Sequence, residues 1–392
     1  MTELSKSEGE IYSLRKEKEE AIRKSKIPSF PTYYENATYA SEIISLHTNL
    51  EDGEKTEIFT SARGRIVNIR SFGKLTFMDL KDFSGKIQLV ISKEDLPEEL
   101  IEYVENYDVG DIVGVSGTIM KTKKGEISIK VTESVLLSKS LRNFPEKWHG
   151  LKDKETRFRQ RYLDFLVNEE ANKTIQIRFQ VIKLIREFMD SKQFLEVETP
   201  TLQPKAGGAI ARPFTTHHNA MSIDMFLRIA PELYLKRLII GGFERVYEIG
   251  KVFRNEGVDM THSPEFTMME SYQAYTNVDG VMDMVEEMCR YVLSKLNIDS
   301  ELEYIATKAD FSFPWKRISM FELVNNKFNL NIDFDSDLNS TLQTLEDKHG
   351  LKYNSESIGS LVFELFENHI EKEIVDPTFV TEYPKEVSPF AR

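Results

Sequence analysis

At 392 residues, 40% hydrophobic and 11% aromatic, the chain has the length and apolar content for two or three domains with a sizeable core. Its formal charge of −13 excludes wholesale non-specific attachment to a polyanion and leaves nucleic-acid contact to locally clustered Lys and Arg. A single cysteine, Cys289, allows no internal disulfide and no cysteine-based zinc site. No run of about 18 apolar residues is available for a membrane span, and the first residues mix acids with bases, so a cytoplasmic location is expected.

The first element in chain order is LRKEKEEAIRKSK, Leu14 to Lys26. It is polar all round and carries Glu19 with Arg23 and Glu20 with Lys24 at i,i+4 spacing, which predicts a solvated helix. From Ile58 to Leu137 the pattern changes to short alternating runs punctuated by Gly73, Gly85, Gly110 and Gly125. Five predicted strands with one helix, PEELIEYVENY, between the third and fourth follow the order of an OB-fold, a small barrel that commonly binds oligonucleotides. In LTFMDLKD, Leu75, Phe77 and Asp79 share one strand face, so Phe77 sits beside a charge. That placement suits an exposed stacking ring, although a barrel strand also needs aromatic residues for its core.

A charged connector, Trp148 to Asn168, leads out of the barrel. Ile175, Phe179, Ile182, Ile185 and Met189 then recur at helical spacing and predict an amphipathic helix. FLEVETPTL follows as a β-run in which Pro200 cannot donate to a sheet ladder and belongs at an edge or bend. From Ala209 to Tyr275 the pattern reads strand, helix, strand, strand, a mixed α+β domain on an antiparallel sheet. The chain contains neither a GxxxxGK[ST] phosphate loop nor a GxGxxG after a strand.

FLEVETPTL, AGGAIARPFTTHHNA, LRIAPELYLKRLIIGGFERVYEIGKVFRNEG and THSPEFTMMESYQAY together resemble the class II aminoacyl-tRNA synthetases, and within them the lysyl-tRNA synthetases. The resemblance runs from about Ile58 to the end of the chain. Aspartyl and asparaginyl synthetases share the barrel and the VFRNEG to SPEF motif, whereas HHNA at His217 to Ala220 and RIAPELYLKRL resemble the lysine enzymes. The resemblance implies four parts. Residues 1–56 form a helical extension and 57–140 an OB-fold anticodon-binding domain. Residues 141–168 form the connector, and 169–392 the class II catalytic domain.

The implied reaction joins L-lysine to tRNA(Lys) through a lysyl-adenylate made from ATP with Mg²⁺. Such chemistry asks the protein chiefly to position reactants and stabilise charge on phosphorus, a task suited to a planar, permanently charged guanidinium. Arg254 stands where the family has its catalytic arginine; without the resemblance it reads as a strand-end arginine paired with Glu256. Glu256, His262, Ser263 and Phe266 resemble the remaining ATP contacts, with Phe266 the ring that stacks on adenine. Ser263 departs from the asparagine of many relatives. Glu270 with Tyr272 matches the reader of the substrate's side-chain ammonium, because a carboxylate mid-strand among apolar neighbours requires a cation. Glu232 has a plain role available as an acid at a helix N-terminus, and the resemblance instead points it, with Gly208, at the substrate amino end. Arg70, Phe77, Gln88 and Glu126 fall where the family reads the anticodon.

The helix and strand ending at Pro200 resemble the family's first motif and imply a homodimer. The chain ends at SPFAR, before the expected third motif and the expected metal carboxylates, so no Mg²⁺ ligand is assigned. The implied alternatives are a piece of a longer enzyme, a shortened paralogue that binds tRNA or another partner without catalysis, or an aspartyl/asparaginyl-type synthetase. The strand FVTEYPKEVSPF is expected to lack following neighbours and to leave an unpaired edge.

Overall fold

The structure, a computed structural model, describes residues 6–142, 151, 153–259, 262–304 and 307–388. The chain divides into two compact units, Met1–Asn172 and Lys173–Arg392.

The first unit contains helices α1 (Lys6–Lys24) and α2 (Ala40–Leu46). Strands β1 (Lys55–Phe72), β2 (Leu75–Lys81) and β3 (Lys86–Ser92) follow, then helix α3 (Glu98–Glu105), then β4 (Ile112–Lys121) and β5 (Ile127–Ser138). The strands close into a barrel in the order β1-β2-β3-β5-β4, antiparallel except where β3 meets β5. Alternation supplies the inward set, as in β2, where Thr76, Met78 and Leu80 are buried while Leu75, Phe77, Asp79 and Lys81 face outward. Ile66, Met78, Leu89, Ile119, Ile129 and Leu136 fill the interior. Two short helices, α4 (Lys154–Arg159) and α5 (Arg161–Val167), follow the barrel. Much of the charged connector before them lies outside the described residues.

The expectation of a freely solvated first helix is corrected. The Arg23 to Glu19 pair forms at 2.7 Å, but Ile22 is only 1% exposed and belongs to the barrel core. Arg15 donates to the carbonyls of Ser140 and Arg142 at 2.8 Å, and Lys18 to Asp108 at 2.7 Å. The polar helix is captured by acceptors about 125 positions away in the chain, which local periodicity does not reveal.

The second unit begins within α6 (Glu169–Ser191). Next come β6 (Leu195–Glu196), β7 (Leu202–Gln203), β8 (Thr215–His218), β9 (Ile223–Leu227), α7 (Glu232–Ile240), β10 (Arg245–Phe253), β11 (Glu265–Gln273) and α8 (Val278–Leu296). The remainder holds β12 (Glu301–Tyr304), β13 (Thr307–Asp310), β14 (Lys316–Ser319), α9 (Met320–Phe328), α10 (Leu338–His349), α11 (Ile358–His369) and β15 (Thr378–Thr381). The central feature is the antiparallel hairpin β10–β11, extended by β6 running parallel to β10. FLEVETPTL divides around Pro200 into β6 and β7, and β7 joins β9 and β8 in a separate three-stranded sheet.

Behind the hairpin Phe188, Met189, Phe194 and Tyr247 form a core against which Ile249, Met269 and Tyr291 pack. The apolar stripe expected along α6 is therefore buried only towards its C-terminal end; Phe179 remains 61% exposed. Helices α9, α10 and α11 enclose a second core of Met320, Val324, Leu345, Leu361 and Leu365. The expected terminal strand is shorter than its sequence pattern. It stops at Thr381, ahead of Pro384, which cannot donate to a ladder, and it pairs in parallel with β14. Its one neighbour comes from upstream in the chain, and in this two-stranded sheet its other edge is unpaired among the described residues, as expected.

Candidate active site

The register of the hairpin places Val252 opposite Phe266, Gly250 opposite Met268, Glu248 opposite Glu270 and Val246 opposite Tyr272. Because strand side chains alternate, these eight residues share one face, and the core residues Tyr247, Ile249 and Met269 share the other. One sheet thus presents a packed back and a chemically equipped front.

At one end of the front the loop leaves β10 at Arg254. Its amide donates to the carbonyl of Pro264 at 2.9 Å, carrying the ladder one step past the strand. The guanidinium lies 5.3 Å from the centre of the Phe266 ring, and its Nε is buried with no hydrogen-bond partner among the described residues. A buried N–H without an acceptor costs free energy, so this donor suits an incoming anion. No ion pair joins Arg254 to Glu256 among the described residues, which removes the strand-end pair as an account of the arginine. The exposed Glu256 instead accepts a long 3.4 Å bond from the amide of Arg212. His262 is held by Asp259 through backbone and ring at 2.7 Å, and the Ser263 hydroxyl donates to the Glu265 carbonyl at 2.9 Å. The structure brings Arg254 and Phe266 together and leaves Glu256, His262 and Ser263 on the exposed loop.

At the other end Glu270 accepts a 3.0 Å bond from the Tyr272 hydroxyl. Burial pushes the Glu270 carboxyl above the usual range, the tyrosine bond opposes this, the neighbouring Glu232 and Glu248 add to the rise, and Lys236 counters it. Burial and the adjacent Glu270 likewise raise Tyr272. Glu232 opens α7 and is bonded to Lys236 one turn later at 2.6 Å. Gly208 sits beside it with φ +88°, and a Cβ there would lie 3.0 Å from the Glu232 Cβ and 3.2 Å from the Ala230 Cβ. Glycine therefore permits both the backbone conformation and the close approach. Gly208 is thus set against Glu232, and Glu232 lies near the bonded Glu270–Tyr272 pair, although the two segments are distant in sequence.

The sequence reading missed the buried pair beside this cluster, on the same face of the hairpin. Glu248 and Arg228 are 4% and 3% exposed and bonded to each other. Thr199 donates to the second Glu248 oxygen at 2.6 Å, and Arg228 also reaches the carbonyl of Lys251 at 2.8 Å. Glu248 meets the same criterion as Glu270, a carboxylate mid-strand between Val246 and Val252, and Arg228 stands in the quoted RIAPELYLKRL. The signal was present in both. Gly250 makes room for the guanidinium, since a Cβ there would fall 2.1 Å from an Arg228 terminal nitrogen.

On the barrel, Arg70 pairs with Phe77 across β1–β2, and Asp79 with Gln88 across β2–β3. Phe77 is half-buried and edge-on to Phe72 at 6.1 Å; Phe72, 66% exposed, is the more accessible ring and was not anticipated. Arg70 donates to Asp79 at 2.8 Å. Gln88, expected on the surface, is buried, with its amide donating to Glu126 at 2.6 Å, so of that pair only Glu126 is exposed.

Residues 153–392 match the family model described as tRNA synthetases class II (D, K and N), and residues 61–137 match the OB-fold nucleic acid binding domain. Lysine–tRNA ligase of Clostridium tetani is 45% identical over 370 residues, 94% of this chain and 73% of the relative. The lysine–tRNA ligases of Dehalococcoides mccartyi and Clostridium novyi are 45% and 44% identical, over 97% and 99% of this chain and 77% and 76% of their own lengths. The chain belongs to the lysine–tRNA ligase family of class II tRNA synthetases. The OB-fold barrel and the class II synthetase domain expected from the motifs are both present in this family member. Among the described residues no helix is long and apolar enough to cross a membrane.

Proposed function

We propose that this chain is a class II ligase that activates L-lysine with ATP and transfers it to tRNA(Lys) in cytoplasmic protein biosynthesis. The observation that carries the reading is the single strand face with Arg254 over Phe266 at one end and Glu270 with Tyr272 at the other. An anion-seeking donor and a cation-seeking carboxylate lie on one rigid hairpin, as a reaction between a nucleotide phosphate and a cationic amino acid requires.

The lysine carboxylate attacks the α-phosphorus and pyrophosphate leaves; a terminal hydroxyl of the tRNA then attacks the adenylate carbonyl and AMP leaves. Arg254 neutralises the carboxylate and the developing phosphorane charge, and Phe266 stacks on adenine with Glu256, His262 and Ser263 closing over the nucleotide. Glu270 and Tyr272 read the side-chain ammonium, and Glu232 with the Gly208 backbone reads the amino end. Among the described residues no group of three or more His, Cys, Asp or Glu is placed to hold a metal ion, so no step is assigned through Mg²⁺.

In this reading residues 57–140 bind the anticodon, with Phe77 stacking, Arg70 and Glu126 flanking it and the buried Gln88 holding Glu126, and 169–392 carry the chemistry. Residues 1–56 and 141–168 serve as extension and connector. A homodimer through α6 and the stretch from β6 to Pro200 is supported by the exposed Phe179 and Leu195. The test is lysine-dependent exchange of pyrophosphate into ATP, on this chain and on its longest natural in-frame form. Arg254→Ala is expected to lower the rate by about 10²–10³-fold. Exchange that does not depend on lysine, or none in either form, overturns the reading.

A further inference from the structure

Three carboxylates meet on the front of the hairpin, and their partners differ in kind. Glu248 is bonded to Arg228, whose guanidinium is buried and also tied to Lys251 and Thr199. Glu270 has the neutral hydroxyl of Tyr272. Glu232 is bonded to Lys236, whose ammonium lies 2.6 Å from its carboxylate and 6.0 Å from the Tyr272 ring centre, on a side chain 55% exposed. With Arg228 neutralising Glu248, the two remaining carboxylates match the two ammonium groups of a diamino acid such as lysine, and Lys236 already occupies one of them.

The two cations are not equivalent. Arg228 has a fixed fork with several acceptors in a dry interior, and removing it would strand a buried charge. Lys236 is a flexible stem making one exposed i,i+4 contact, an interaction of small net worth that is readily exchanged.

We propose that Lys236 is a specificity-determining residue that competes with the substrate's amino group for Glu232, releasing the carboxylate when a cationic amino acid enters. The proposal rests on the reading that Glu232, Glu270 and Tyr272 form the lysine pocket. By occupying Glu232, Lys236 lowers the pocket's appetite for cations in general and reserves its residual charge for an amino acid with an ammonium that also reaches Glu270. Lys236 touches no reacting atom in this scheme, so its effect falls on substrate affinity and not on the bond-making step.

The experiment is calorimetric titration of lysine and, separately, of ATP into wild type, Lys236→Met and Lys236→Arg, on the longest natural in-frame form, alongside the exchange kinetics. Lys236→Met is expected to tighten lysine binding by about twofold, the strength of an exposed helical ion pair that no longer has to be broken. Its KM for lysine falls while kcat does not rise, ATP affinity is unchanged, and Lys236→Arg stays near wild type. Higher salt narrows the gap between wild type and the Met variant. Unchanged or weaker lysine binding by the Met variant, with a wild type that binds lysine, overturns this inference alone. A wild type that binds no lysine overturns the proposed function first and this inference with it.

Discussion

Glu270 and Glu248 stand directly opposite each other on adjacent strands, two like charges that would repel were both unpaired. Arg228 resolves the conflict for Glu248, and Glu270 is left with the neutral Tyr272 hydroxyl as its bonded partner. Its raised pKa, caused first by burial, fixes the sign of a stability effect. A folded-state carboxyl above its unfolded value binds protons more tightly in the native state, so stability falls as pH rises from the ordinary glutamate range through the folded value. Glu270→Gln is therefore expected to raise the melting temperature at pH 7, with the gain shrinking as pH falls towards 4.5. In the proposed function the same change removes the ammonium's counter-charge and weakens lysine binding by about 2 kcal/mol or more, leaving ATP affinity within about twofold. Thermal melts across pH and separate titrations of the two ligands check both; equal loss for lysine and ATP would show the assignment to be wrong.

At the scale of elements, the hairpin was legible because alternation and quoted motifs both lie within thirty residues, and the barrel because its strands are short, regular and punctuated by glycine. What escaped was held from far away. The capture of α1 by Ser140 and Arg142, and the joining of β7 to β9 and of β15 to β14, depend on partners that periodicity cannot name. Glu248 escaped for another reason. Its strand position carries the same signal as that of Glu270, but the resemblance implies no role for it. The packing around it is testable at Gly250, where any side chain meets the Arg228 guanidinium backed by Glu248 and Thr199. Gly250→Ala is expected to destabilise the protein by about 1–3 kcal/mol through overpacking and loss of the buried pair. Urea denaturation followed by circular dichroism measures it, and a loss below about 0.5 kcal/mol would mean that Arg228 moves aside freely.

Across the whole molecule, two units carry two kinds of surface. The first closes its strands into a barrel and turns Phe72 and Phe77 outward with Arg70; the second folds one hairpin into a front of charged and aromatic groups. Each has its own core, so a substitution on the outer face of the barrel leaves the hairpin's packing intact. If the barrel reads the anticodon as proposed, truncating its ring removes stacking from tRNA recognition and nothing from amino-acid activation. Phe77→Ala is expected to weaken tRNA binding by about 1–3 kcal/mol, the worth of one stacked base. Lysine-dependent pyrophosphate exchange, which needs no tRNA, should keep its wild-type rate. Phe72→Ala belongs beside it, because the more exposed ring is the alternative platform and the two rings support each other edge to edge. A larger loss for Phe72 would move the stacking role from one ring to its neighbour. A fall in exchange with unchanged tRNA binding would instead refute the division of labour between the two units.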